Sequence, residues 1–329
     1  MNRRIIALLC AGALAASALT GCATQSSDEI VPPEPREPEP KPVVIGTLPT
    51  EDMLPLWVAE ERGLFEAAGL PSVEIVTFQA AQERDAAFVA GEIDAFMGDI
   101  IACAVLEAGG APVTIATVML GATPAEGRFG IVAAPESGYA DLSALAGVPV
   151  GTSEGTIQEY VLDGLMRQAG VDADDVVVEP VPRVPVRFEL LIQGQLAAAA
   201  LPEPLLSLAE LEGAILLADD TTGENLSQTV LAFSDTYLAE PGGVDTMAAL
   251  LQAWNEGAEI VNEDPGAWID LLVEQARLPE PLRDSYPVNT YPSAQIPTPQ
   301  QVNAVLEWMT AKGILEAKLL YEDLVLVTP

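Results

Sequence analysis

Between residues 147 and 170 the spacing of apolar positions changes period. Val148 to Val150 is a short apolar run of the kind that forms a buried strand, and Gly151 to Gly155 reads as a turn. Apolar residues then recur at Ile157, Tyr160, Val161, Leu165 and Met166, which is one face of a helix. Thr156 and Glu159 have capping-box spacing, and Gly170 is placed to end the helix. The predicted unit is strand, tight loop, helix start. Free N–H groups at such a start, backed by the helix dipole, face whatever sits above the strand end. Ligands of open α/β sheets bind at that edge, although an ordinary βα turn without a ligand has the same pattern.

Similar alternations run along the rest of the chain. Val43 to Thr47 reads as a strand, 48–55 as a loop, Leu56 to Arg62 as a helix stopped by Gly63, and Leu64 to Ala68 as a turn. Val73 to Phe78 is a second strand and Ala81 to Ala90 a helix. Residues 91–99 read as turn, strand and ligand-edge loop, followed by a helix from Ile100 to Ala108 and a strand from Val113 to Met119. Part of this series then repeats. Ile45-Gly46-Thr47 returns as Val150-Gly151-Thr152, and Gly91-Glu92-Ile93-Asp94-Ala95 as Gly194-Gln195-Leu196-Ala197-Ala198, at offsets of 105 and 103 residues. Two α/β lobes of similar size are expected. After Asp220 the pattern changes: Val230 to Phe233 is a strand that crosses back. Helices over 245–262, 265–275 and 298–312, the last with Val302, Val305, Leu306 and Met309 on one face, are expected to cover the first lobe.

The ends of the chain add an address. Arg3 and Arg4 precede an apolar stretch from Ile5 to Leu19, too short to span a bilayer comfortably. Leu19-Thr20-Gly21-Cys22 closes it and resembles the lipobox of bacterial lipoproteins, in which the cysteine is lipidated and becomes the new N-terminus. Residues 26–42 are rich in Pro and Glu and read as an extended tether. Expected boundaries are therefore a signal peptide over 1–21, lipidated Cys22 and tether over 22–42, first lobe over 43–127, second lobe over 128–225, and a return to the first lobe with C-terminal helices over 226–329. No later stretch is apolar and long enough to span, so the protein is expected to be anchored to a membrane rather than to cross it.

Charge and composition narrow the chemistry. The 329 residues hold 49 acidic against 14 basic side chains, a formal charge of −35. Such a chain does not suit nucleic acid or polybasic docking to anionic lipid. There is no His, which removes Ser-His-Asp and Cys-His catalysis and His-based metal sites. Of three cysteines, Cys10 leaves with the signal and Cys22 is lipidated, so Cys103 is expected as a small buried side chain on a helix. No cofactor and no metal are expected.

Five segments together resemble the substrate-binding proteins of ABC importers, in the branch that serves sulfonates, nitrate and thiamine-pyrimidine precursors. They are Ala59-Glu-Glu-Arg-Gly63-Leu-Phe-Glu-Ala-Ala-Gly69-Leu, Ala90-Gly-Glu-Ile-Asp94-Ala, Gly151-Thr-Ser-Glu-Gly155-Thr, Leu201-Pro-Glu203-Pro, and Ala253-Trp-Asn255 followed by Asn262-Glu-Asp-Pro265. The resemblance covers most of 43–312 and departs at Ala197, where that family has an Asp. It implies an α/β, two-lobed periplasmic-binding-protein-like fold of type II, with the ligand held in a cleft between lobes that close over it. It also implies binding without catalysis, by a monomer whose partners are a small-molecule ligand and the permease and ATPase subunits of the importer, outside the cytoplasm.

The same resemblance assigns ligand-facing positions. In the first lobe they are Thr47, Leu48, Pro49 and Thr50 after the first strand, Gln79 after the second and Asp99 after the third. In the second lobe they are Ser153, Glu154, Gly155 and Thr156 at the helix start, Arg183 after the strand ending near Glu179, and Glu203 after the next. Asp99 and Glu203 could equally be helix-start acids, Arg183 a surface cation, and Trp57 either a ring-stacking or a core residue. Only Arg183 and Arg128 are candidate cleft cations, against Glu51, Asp52, Asp99, Glu154 and Glu203. An ionised carboxylate only accepts hydrogen bonds. That balance favours an aminopyrimidine-like or cationic nitrogen compound. The alternatives are a small oxyanion such as a sulfonate or nitrate, an exported sensor module, and an enzyme on the same fold.

Overall fold

The computed structural model describes residues 39–222 and 226–325. The signal segment, Cys22 and most of the tether lie outside the described residues. In the first half, strands β1 (Val43–Thr47), β2 (Val73–Thr77), β3 (Ala95–Asp99) and β4 (Val113–Leu120) alternate with helices α1 (Leu54–Glu61), α2 (Leu64–Ala67), α3 (Ala81–Val89) and α4 (Ile100–Ala108). The second series holds β5 (Phe129–Ala133), β6 (Pro149–Thr152), α5 (Ile157–Gln168), β7 (Val177–Pro180), α6 (Val184–Ile192), β8 (Ala198–Pro202), α7 (Leu205–Leu211) and β9 (Ile215–Asp219). Then come β10 (Thr229–Ser234), α8 (Asp235–Ala239), α9 (Gly243–Glu263), α10 (Ile269–Gln275), α11 (Pro299–Ala311) and α12 (Tyr321–Leu324).

Two five-stranded sheets result, in the orders β2-β1-β3-β10-β4 and β7-β6-β8-β5-β9. Each sheet is parallel except for one strand contributed by a crossing. The chain leaves the first sheet after β4, and β5 enters the second sheet antiparallel to β8 and β9. It returns after β9, and β10 enters the first sheet antiparallel to β3 and β4. The two lobes are thus joined by two adjacent crossings, 121–128 and 220–228. At Gly121 (φ +83°) the crossings touch: an added Cβ would meet Ser227 O at 2.8 Å and Gln228 Cα at 3.0 Å. Only a residue without a side chain permits that approach.

The internal repeat extends further than the sequence landmarks. A Cβ on Gly46 would stand 2.4 Å from Ile93 Cδ1, and one on Gly151 2.6 Å from Leu196 Cδ1. A buried arginine lies over each glycine: Arg84 on α3 donates to Met97 O at 2.8 Å, and Arg187 on α6 donates to Val181 O at 2.8 Å. Arg84 also pairs with Asp85, whereas Arg187 is held by Gln158 and carries a buried Nε without a partner.

Several elements differ from the sequence expectation. The helix expected from Leu56 begins at Leu54, after a 3-10 turn over Glu51–Met53, because Pro55 is tolerated in a first helical turn where its missing N–H is not needed. The turn expected after Gly63 closes into the short helix α2. The helix expected from Pro265 opens as a 3-10 turn, Pro265–Trp268, before α10. Cys103 is buried in α4. Trp57 is 3% exposed inside the first lobe's core, not at a ligand-stacking position.

Helix α9 packs along α1, and α11 and α12 pack on α4, all on the first lobe. Helix α11 does more than cover that lobe, however. Trp308 Nε1 donates to Asp163 Oδ2 on α5 at 2.8 Å, and Trp308 meets Tyr160 edge to face with centroids 5.3 Å apart. Lys312, just past α11, bridges Glu159 at 2.7 Å and Asp163 at 2.9 Å. One apolar cluster therefore runs from Ile100 and Leu106 on α4 through Val302 and Leu306 on α11 to Ile157 and Leu162 on α5. A 3.6-residue period reveals a buried face but not which two partners share it.

Candidate functional site

The C-terminal strand ends of both sheets meet at the crossings, and two cavities open there. The larger, ≈ 600 Å³, lies among the start of α4, helix α5, the second crossing and α11. Its walls include Asp99, Ile157, Tyr160, Gln228 and Trp308. That volume is in the usual range for small-molecule sites, roughly 300–1,000 Å³. The smaller, ≈ 30 Å³, is lined by Thr50, Glu51, Asp52, Arg128, Glu203 and Ser227. It has room for about one ammonium-sized group or water.

Carboxylates dominate the smaller cavity. Glu51, in the 3-10 turn before α1, is 4% exposed. Its Oε2 accepts from Tyr286 Oη at 2.8 Å and its Oε1 from Asn289 Nδ2 at 2.6 Å, while Asn289 Oδ1 accepts from Gly127 N on the first crossing at 3.3 Å. Burial, and after it the charge of Glu203, pushes the Glu51 carboxyl well above the ordinary carboxylate range. Asp52 Oδ1 accepts from Thr229 Oγ1 at 2.6 Å, which ties this turn to the start of β10.

Glu203 is 8% exposed and comes from the second lobe, two residues before α7. Its Oε1 accepts from Ser207 Oγ at 2.8 Å and Arg128 Nη1 at 3.0 Å, and its Oε2 from Ser207 N at 3.1 Å. Burial raises its pKa against these contacts. Arg128 is shared among Glu203 at 3.0 Å, Glu210 at 2.9 Å and Asp219 at 2.8 Å. Burial alone would lower its pKa, yet the bonds to Glu210 and Asp219 raise it, so the guanidinium stays charged and engaged.

The helix starts beside the cavities carry the chain's own acceptors. Asp99 caps α4, accepting from Ala102 N at 2.8 Å, and burial raises its pKa. At α5 the expected capping box takes a different form. Thr156 Oγ1 accepts from Gln158 N at 3.3 Å, while Glu159 Oε2 accepts from Gly155 N at 2.7 Å instead of from the capping residue. Lys312 draws the other oxygen of Glu159 toward α11, which sets that side chain's direction.

The remaining sequence-derived positions fall in three places. Thr50 lines the smaller cavity, and its buried Oγ1 has no partner. Thr47 is buried at the end of β1, with Oγ1 donating to Leu48 O at 3.1 Å; Leu48 packs on the first lobe's core and Pro49 is half-buried. Ser153 is 5% exposed and its carbonyl accepts from Thr156 Oγ1 at 2.7 Å, whereas Glu154 is exposed. Gln79 is exposed, its Oε1 accepting from Arg277 at 2.8 Å. Arg183 is exposed at the start of α6, and the linings of the two cavities do not include it. Asp99 and Glu203 are helix-start acids and cavity walls at once.

The sequence did not single out Gln228, Tyr286, Asn289 or the α11 side chains. Gln228 sits on a crossing, and Tyr286 and Asn289 lie in an irregular stretch between α10 and α11, where no period exists to read. The pairing of Asn289 with Glu51 spans 238 residues.

Two lobes on parallel sheets, joined by two crossings with cavities at the joint, are the architecture of the periplasmic binding proteins. Residues 36–268 match the profile of the NMT1-like family, and the chain belongs to that family. Among solved structures the chain is similar to the alkanesulfonate-binding protein SsuA from Xanthomonas axonopodis pv. citri bound to MOPS, with 20% identity and a TM-score of 0.72 over 88% of this chain and 99% of that one. The periplasmic aliphatic sulphonate-binding protein SsuA from Escherichia coli gives 20% and 0.72 over 87% and 98%. The periplasmic nitrate-binding protein NrtA from Synechocystis PCC 6803 gives 15% and 0.70 over 88% and 85%. At such identities the likeness establishes the fold. A search of curated protein sequences returns no match.

Proposed function

We propose that this protein is the extracytoplasmic solute-binding component of an ABC importer. It captures a small nitrogen compound with amino or cationic groups between its lobes and does not turn it over. The observation that carries the ligand class is the facing pair Glu51 and Glu203, one from each lobe, buried on a cavity with room for about one ammonium-sized group. An amino group there lets both carboxylates ionise in contact with a donor and links the lobes. Arg128, the one cation on that cavity, is already engaged by three carboxylates. The N–H groups of Ala102, Gly155 and Ser207 are likewise taken by Asp99, Glu159 and Glu203.

The solute-binding role draws support from the family and from the sulfonate and nitrate binders that share the fold. Export and lipid anchoring through Cys22 rest on the Leu19-Thr20-Gly21-Cys22 segment, and the monomeric state on the resemblance. Those same neighbours favour a second reading, a sulfonate or nitrate held in the larger cavity beside the start of α5.

Calorimetric titration decides between the two. Putrescine and 4-aminopyrimidine are set against ethanesulfonate and nitrate, for the native chain and for Glu203→Gln. The proposal expects binding of a nitrogen compound, weakened at least tenfold by the substitution, about 1.4 kcal/mol. Binding of the oxyanions alone would overturn the acidic-cleft reading and leave the second.

A further inference from the structure

Among the polar side chains of the larger cavity, Gln228 has an unusual position. It is 5% exposed, on the second crossing, and lines the cavity together with Asp99 and Ile157. Both its Oε1 and its Nε2 are buried and have no hydrogen-bond partner. Buried polar atoms are nearly always paired, and an amide with neither end paired calls for an explanation. Its backbone cannot move away easily, since an added Cβ on Gly121 of the other crossing would lie 3.0 Å from Gln228 Cα.

A carboxamide offers one acceptor and one donor side by side in a plane. Its complement is a planar group with an N–H beside an acceptor, which is how glutamine pairs with the amino and ring-nitrogen edge of adenine. The cavity walls suit such a group. Ile100, Ile101, Ile157 and Leu226 are apolar, Trp308 is aromatic, and Asp99 provides an acceptor for a further N–H. An ammonium ion offers donors only and would leave the Gln228 donor unpaired.

We propose that Gln228 is a specificity-determining ligand contact. It pairs edge-on with a ring nitrogen and the amino group beside it, and so selects an amino-substituted nitrogen heterocycle over an aliphatic amine. This rests on the nitrogen-compound reading above and narrows it. Because Gln228 belongs to neither lobe's rigid sheet, the contact forms at the joint itself.

The test is the ratio of affinities for 4-aminopyrimidine and putrescine, measured by calorimetry on the native protein, Gln228→Met and Gln228→Asn, with thermal unfolding of each free protein. Gln228→Met is expected to lower the ratio about tenfold or more, because the ligand's edge then loses its partner. Its unfolding temperature is expected to hold or rise, since two unpaired buried atoms are removed. Gln228→Asn keeps a carboxamide but withdraws it by one methylene, and is expected to lower the ratio as well. An unchanged ratio in both variants, or both affinities falling together with the unfolding temperature, would overturn the role of Gln228. A native protein that binds putrescine and not 4-aminopyrimidine would overturn this inference alone. One that binds neither would overturn it together with the nitrogen-compound reading.

Discussion

Glu51 shows how one side chain can report on the state of the cleft. Its carboxyl titrates well above the ordinary range because it is buried and then because Glu203 is near. In the folded protein it therefore keeps its proton at pH values where the unfolded chain has lost it. The folded state binds more protons in that window, so stability falls as pH rises above about 4.5, the carboxyl's ordinary value. Glu51→Gln can keep both partners, accepting from Asn289 and donating to Tyr286. It is expected to flatten the unfolding temperature against pH between about 5 and 8, and to unfold later than the native protein at the upper end. Thermal scans across that range check this; a steeper profile in the variant would contradict it. Legibility at this scale was uneven. Asp99 and Glu203 could be picked out because they follow strand ends, and both reach a cavity. Arg183 follows a strand end too, but its side chain stays at the surface, and strand ends alone do not say which way a long side chain turns. The carboxamide of Gln228 left no trace in the pattern, since a single polar residue before a strand looks like any loop residue.

Among the elements, α11 has the clearest consequence for function. It belongs to the first lobe by its packing on α4, yet Trp308 and Lys312 hold α5 of the second. Lys312 also meets Glu159, whose other oxygen holds Gly155 N beside the larger cavity. The clasp and the loop at the start of α5 thus share one side chain. Lys312→Met leaves Glu159, whose side chain is 8% exposed, without its cation, at a cost of about 1–3 kcal/mol. The substitution is expected to lower stability by that amount and to speed ligand release several-fold, because the lobes part more readily. Denaturant titration and stopped-flow dissociation read the two effects, and an unchanged release rate would remove the clasp from the closing motion. The helical period placed α5 and α11 within a residue or two, and Thr298 caps α11 in a full capping box. What the period could not supply was the second partner of α11, because a shared apolar face has the same spacing whichever lobe it meets.

At the scale of the molecule, the duplication was the most readable feature. Two landmark pairs at nearly one offset foretold two α/β units, and the structure adds Arg84 with Arg187 and Ile93 with Leu196 at the 103-residue offset. The crossings were half legible: the returning strand could be seen at Val230, but its antiparallel insertion between β3 and β4 is a tertiary choice. Ligand class is harder, because a formal charge of −35 spreads over the whole surface and says little about one cleft. The structure adds the burial of Glu51 and Glu203 and the engagement of Arg128. The central claim is that the lobes close on a nitrogen compound held by these carboxylates. Native mass spectrometry of the protein as purified, followed by accurate mass of whatever it releases, tests that claim most directly. The account predicts a bound solute that contains basic or amino nitrogen and leaves when Glu203 is replaced by Gln. Release of a sulfonate or nitrate, retained equally by that variant, would contradict it.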